Sequence, residues 1–98
     1  MLAYVFWHRP VATTSRTAYE ADLVAFHRAL AGARPRGLLG SSTLRVDGAS
    51  WVAGTGPCYE DWYALASSAV LDDLNETAVG EACADAHRAV AAQVDHSA

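Results

Sequence analysis

The chain has 98 residues, 52% hydrophobic and 18% charged, a balance that excludes a disordered chain and fits one packed domain over 1–98. Net charge is −4, pI is about 5.4, and the seven basic residues are all scattered arginines, so there is no basic stripe for nucleic acid or an anionic membrane. Two cysteines, Cys58 and Cys83, are too few for a secreted disulfide scaffold, and no run approaches the ~20 apolar residues of a membrane span.

Residues 2–9 read as a strand, because Tyr4, Val5, Phe6 and Trp7 are aromatic or β-branched and Pro10 stops the ladder. The start has no basic segment and too short an apolar run for a signal peptide, so the expected location is the cytoplasm, with both thiols free. Both faces of this strand are apolar, which calls for cover on both sides: helices on one and a second subunit on the other. A helix follows to about Ala31. Thr17 and Glu20 have capping-box spacing, and Thr14 or Ser15 are alternative starts. Tyr19, Leu23, Phe26 and Leu30 form its buried stripe, and Gly32 and Pro35 end it. Residues 38–46 form a second strand. Residues 47–57 are a Gly-rich loop carrying Trp51, and 58–65 form a third strand, antiparallel to the second. From Ser67 or Ser68 a helical region runs to about Val94, broken or kinked at Gly80.

The aromatic first strand ending Phe6-Trp7-His8-Arg9-Pro10, the helix Tyr19-Glu20-Ala21-Asp22-Leu23, the strand Tyr59-Glu60-Asp61-Trp62-Tyr63 and the helix near Asp72-Asp73-Leu74-Asn75 form a pattern. It resembles the dimeric α+β barrel superfamily, which has a ferredoxin-like unit and includes small antibiotic-biosynthesis monooxygenases, polyketide cyclases and haem-degrading monooxygenases. The resemblance covers nearly the whole chain at the level of architecture. It implies an antiparallel α+β fold of order β-α-β-β-α, two sheets packed face to face in a homodimer, and a ligand cavity between sheet and helices. The fourth strand of such a unit is expected to be short or missing, since only Asp95-His96-Ser97-Ala98 remains. That leaves room for a partner's strand, or for the chain to be half of a two-unit protein. Haem-degrading members use an Asn on the first strand together with a Trp and a His. Trp62 and His87 lie on comparable elements, but the first strand has no Asn, so that activity is not carried over.

His8 and Arg9 end a strand, where site residues sit on a rigid scaffold. An imidazole there suits acid–base work and a guanidinium suits a carboxylate or phenolate; the competing reading is a rim His and an Arg paired with Glu60 or Asp61. Tyr59, Asp61 and Tyr63 share one face of the third strand, where Asp61 is a base or an orienting group for His8 and the tyrosines bind a polar substrate edge. The alternative is an edge strand with charges in water. His27 borders the apolar stripe of the first helix and either meets His8 in a cavity or is satisfied by a neighbour. Trp51 either closes a pocket or plugs a gap. Cys83 and His87, four apart, could join Cys58 or His27 at a metal, but core packing is the better reading.

These residues give two functional expectations. One is a small enzyme without a cofactor, of cyclase, isomerase or monooxygenase type. It would act on an apolar or aromatic small molecule with His8 and Asp61 catalytic and Arg9, Tyr59, Tyr63, His27 and Trp51 binding. The other is a non-catalytic ligand-binding or assembly module, to which an unpaired sheet edge would belong.

Overall fold

The computed structural model describes residues 1–47 and 56–97. It contains β1 (Leu2–Pro10), α1 (Arg16–Ala33), β2 (Leu38–Val46), β3 (Cys58–Leu65), a 3-10 turn at Ser68–Val70, α2 (Leu71–Val79), α3 (Ala84–Ala91) and β4 (Val94–Ser97). The strands form one antiparallel sheet in the order β2-β3-β1-β4. That order, with α1 between β1 and β2 and the other helices between β3 and β4, is the ferredoxin-like arrangement.

Ser15 starts α1, its Oγ accepting from the Ala18 amide at 3.3 Å, so the cap is one of the alternatives to Thr17. The helix passes Gly32 and ends where Arg34 adopts the left-handed conformation, φ 53°, its amide donating to Leu30 O. Tyr19, Leu23, Phe26 and Leu30 are all buried, as their spacing requires. Phe26 and Leu30 join Tyr63, Leu65, Leu74 and Cys83 in the larger core cluster, while Tyr19 and Leu23 pack with Tyr59. The buried residues of β3 on this face are Tyr59, Asp61, Tyr63 and Leu65.

In the last third of the chain the break falls where the sequence places it: α2 stops at Gly80, which is extended. The far end differs from the sequence reading, since helical structure does not continue to Val94 and α3 ends at Ala91. A Cβ at Gly80 would lie 2.9 Å from Glu76 O, so the close return of the chain there favours glycine. The early end of α3 frees Val94 to begin a fourth strand. This strand is short, four residues, but present, and it pairs with β1 through Arg9↔His96 and Pro10↔Val94 across a register shift. Gln93 fixes the approach: its amide donates to Asp22 Oδ2 and Ala89 O, both at 2.7 Å. β3 lies between β2 and β1, so it is a central strand rather than an edge.

Gly37, at φ 77°, makes the tight entry into β2, and a Cβ there would lie 2.4 Å from Val70 Cγ1. Gly37→Ala should cost about 1–3 kcal/mol in urea unfolding, the usual range for a side chain forced into that conformation. Gly32→Ala, where a Cβ meets nothing within 4 Å, should instead stabilise α1 by about 0.5 kcal/mol. Equal effects of the two changes would refute this account of the β2 entry.

Candidate functional site

Alternation along β1 and β3 decides what faces the helices. The cross-strand pairs Tyr4↔Tyr63, Phe6↔Asp61 and His8↔Tyr59 put six polar or aromatic side chains on the helix side. Thr43↔Asp61 and Ser41↔Tyr63 add two hydroxyls from β2. Asp61 therefore stands at the middle of the sheet, 5% exposed, surrounded by groups that only the fold brings together.

His8 Nε2 lies 3.0 Å from Asp61 Oδ2, and His27 Nε2 lies 3.4 Å from Asp61 Oδ1. The far nitrogens are also met: His8 Nδ1 is 2.5 Å from the Tyr19 hydroxyl, and His27 Nδ1 is 2.9 Å from Ser41 Oγ. With the carboxylate ionised, each Nε2 carries a proton toward it, which leaves each Nδ1 to accept from a hydroxyl. The rings are held by stacking, His8 on Tyr59 at 5.9 Å and His27 on Tyr63 at 5.6 Å. The Tyr63 hydroxyl donates to Asp61 Oδ2 at 3.4 Å.

Burial pushes the Asp61 carboxyl up, but His27, His8 and the Thr43 hydroxyl outweigh it and hold the group well below the usual carboxylate range. The contacts are close but not straight. His8 Nε2, His27 Nε2, Asp61 Oδ1 and Thr43 Oγ1 are buried without a hydrogen bond of regular geometry. Burial, then the Asp61 charge, push the Tyr19 and Tyr63 phenols far up. Tyr59 rises to about 12, through burial and its hydrogen bond to Glu20 at 2.8 Å.

A cavity of about 500 Å³ lies between this sheet face and the helices. Tyr4, Phe6, His8, Asp61 and Tyr63 form its sheet wall. Phe26, Leu74, Ala78 and Val90 give the helix side its apolar surface, and Asn75, His87 and Asp95 add polar groups there and at β4. A site of this size, mostly apolar with a few polar groups, suits a small molecule.

Of the residues singled out from sequence, His8, Asp61 and Tyr63 meet at the cavity wall, while His27 and Tyr59 back it. Arg9 does not join them. It alternates with His8 onto the opposite side, 5% exposed, where its guanidinium donates to Gly56 O. Trp51 lies outside the described residues. Cys58 packs with Trp7 and Val46 on the far side of the sheet, and Cys83 sits in the main core, so the four-ligand metal set does not converge. Trp62 is also on the far face, 40% exposed. Sequence reading missed Tyr19 as the partner of His8, because its place in the helix stripe already accounted for it. It also missed Ser41 and Thr43, whose roles depend on strand register.

Removing the Asp61 charge tests the cluster. Asp61→Asn should lower unfolding stability near neutrality by about 3 kcal/mol, the order found when one partner of a buried polar pair is lost. Because the folded carboxyl is depressed, its contribution is full above the unfolded value of about 4 and fades as pH falls below it. The gap between wild type and variant in urea unfolding should therefore shrink below about pH 4. A gap that instead widens in acid would contradict the assignment.

No protein-family model matches the chain, and no curated protein does. Among solved structures it is similar to a dimeric protein of unknown function and ferredoxin-like fold from Bacteroides fragilis NCTC 9343, at 10% sequence identity and a TM-score of 0.63. The match covers 98% of this chain and 88% of that one. Among the described residues no helix is long and apolar enough to cross a membrane. At such low identity the likeness speaks for the fold alone: this chain has a ferredoxin-like fold.

Proposed function

We propose that this protein is a small enzyme of the cyclase, isomerase or monooxygenase kind, acting on an apolar or aromatic small molecule held between sheet and helices. The observation that carries this reading is the buried His8–Asp61–His27 cluster, of which His8 and Asp61 line the aromatic cavity wall. A buried carboxylate held by two imidazoles beside a cavity is the kind of cluster of perturbed ionisable groups found at functional sites, which supports a ligand or catalytic site here. In this reading Asp61 fixes the His8 tautomer and stabilises the imidazolium formed when His8 takes a proton. If the reading is right, His8→Ala and Asp61→Ala should each lower turnover of a screened substrate by about 10²-fold or more. Unchanged turnover in both would sink it.

The second reading, a non-catalytic ligand-binding module, is favoured by one observation: both His8 nitrogens already face protein groups. Capture of a small molecule without turnover would select it.

We further propose that the chain works as a homodimer through the sheet face opposite the helices. That face carries Val5, Trp7, Leu44 and Trp62, with Leu44 51% and Trp62 40% exposed. The similar Bacteroides protein is described as dimeric. Glu60, the one carboxylate among them, accepts from the Trp7 and Trp62 indoles at 2.9 and 2.7 Å, so it can be covered with both oxygens hydrogen-bonded. Light scattering should give the mass of two chains for the wild type and of one for Leu44→Glu. A monomeric wild type would refute the dimer and leave this face without a role.

A further inference from the structure

The polar groups bordering the cavity differ in what they have left to offer a ligand. His8 is 1% exposed, and its nitrogens are directed at Tyr19 and Asp61. His27 is likewise spent on Ser41 and Asp61. Among the three imidazoles, His87, on α3, is the exception. It is half-buried and lines the cavity from the helix side. Its ring contacts Phe26 edge-on at 5.9 Å, and among the described residues its nitrogens meet no hydrogen-bonding group. An imidazole in that state can give a hydrogen bond from one nitrogen and accept at the other.

Charge narrows the ligand further. The cavity lining includes two carboxylates, Asp61 and Asp95, and no arginine. Arg9 is tied to Gly56 O on the other side of the sheet, Arg45 pairs with Glu20, and Arg88 pairs with Asp85. Residues 48–55, outside the described set, hold no Arg or Lys either. An anionic ligand would therefore lose its hydration and find no counter-ion. A cation gains little more: Asp61 is already held by two imidazoles, and Asp95 is exposed, where an ion pair is screened.

We infer that the cavity takes an uncharged aromatic ligand bearing a hydroxyl group, and that His87, rather than His8, is the imidazole that hydrogen-bonds it. This rests on the reading of the cavity as a small-molecule site. Tyr4, Phe6, Phe26 and Tyr63 supply the ring contacts, and His87 reads the hydroxyl from the opposite wall.

Four bicyclic probes test this by calorimetric titration of the full chain at neutral pH: naphthalene, naphthol, naphthoate and naphthylmethylammonium, substituted at the same ring carbon. Naphthol should bind more than about tenfold tighter than either charged probe. His87→Phe keeps an aromatic ring but removes both nitrogens. It should weaken naphthol about three- to tenfold, the worth of one hydrogen bond, and leave naphthalene unchanged. Equal or tighter binding of naphthoate or the ammonium probe would overturn the charge argument. A His87→Phe variant that binds naphthol as the wild type does, or that loses naphthol and naphthalene alike, would overturn the role of His87. Binding of naphthalene without any preference for naphthol would remove the hydroxyl while sparing the cavity. Failure of all four probes, naphthalene included, would remove the small-molecule site itself.

Discussion

A carboxylate at the centre of a sheet has to be compensated, and the arrangement around Asp61 follows from that need. At 5% exposure it cannot rely on water, and removing an unpaired ion from water costs several kcal/mol in practice. Its neighbours along β3 are tyrosines, and its cross-strand partners are Phe6 and Thr43. The two imidazoles come from elsewhere. His8 is two residues from Phe6 on β1, and His27 reaches down from α1. Each imidazole then needs a partner for its other nitrogen, which brings in Tyr19 and Ser41. One buried charge thus fixes side chains from four elements: α1, β1, β2 and β3.

That network also constrains the core. Tyr19 sits on the same α1 stripe as Leu23, Phe26 and Leu30, so the helix that fills the hydrophobic interior also delivers the phenol to His8. The smaller core cluster, Tyr19, Leu23 and Tyr59, is therefore apolar in its rings and polar at its hydroxyl tips. Tyr and His can fill this double part because each has an apolar body and a polar end. The larger cluster, from Phe26 to Cys83, contains no such chain of polar contacts apart from Tyr63, and it supplies the apolar cavity wall.

The strands were legible in the sequence because aromatic and β-branched runs bounded by turn residues have few other readings; β2 and β3 begin and end at the residues their pattern indicates. The α1 stripe was legible from spacing alone. The end of the chain was not, because the alanines that continue a helical pattern past Ala91 say nothing about where Gln93 and Val94 find partners. The site divides in the same way. His8, Asp61 and Tyr63 are placed together by strand alternation, a local rule. Arg9 falls by that rule on the other face from His8, though strand-end position alone had joined them. Tyr19, Ser41 and Thr43 depend on helix docking and register, which no local pattern encodes.

The two faces of β3 show how alternation divides its acids. Asp61 and Glu60 are adjacent in sequence and differ by one step of the pleat. Asp61, on the helix side, is deeply buried, and its charge is met by imidazoles and hydroxyls. Glu60, on the open side, is met by two indole N–H groups, whose hydrogen bonds outweigh the effect of burial and lower its pKa. Indoles can only donate and carry no charge, so that arrangement holds a carboxylate without creating a base or a proton path. Imidazoles can donate, accept and exchange a proton, so the arrangement around Asp61 can do what the one around Glu60 cannot. The difference in partner chemistry, more than the carboxylates themselves, sets the two sides of the sheet apart: groups able to exchange a proton surround Asp61, and groups able only to donate surround Glu60.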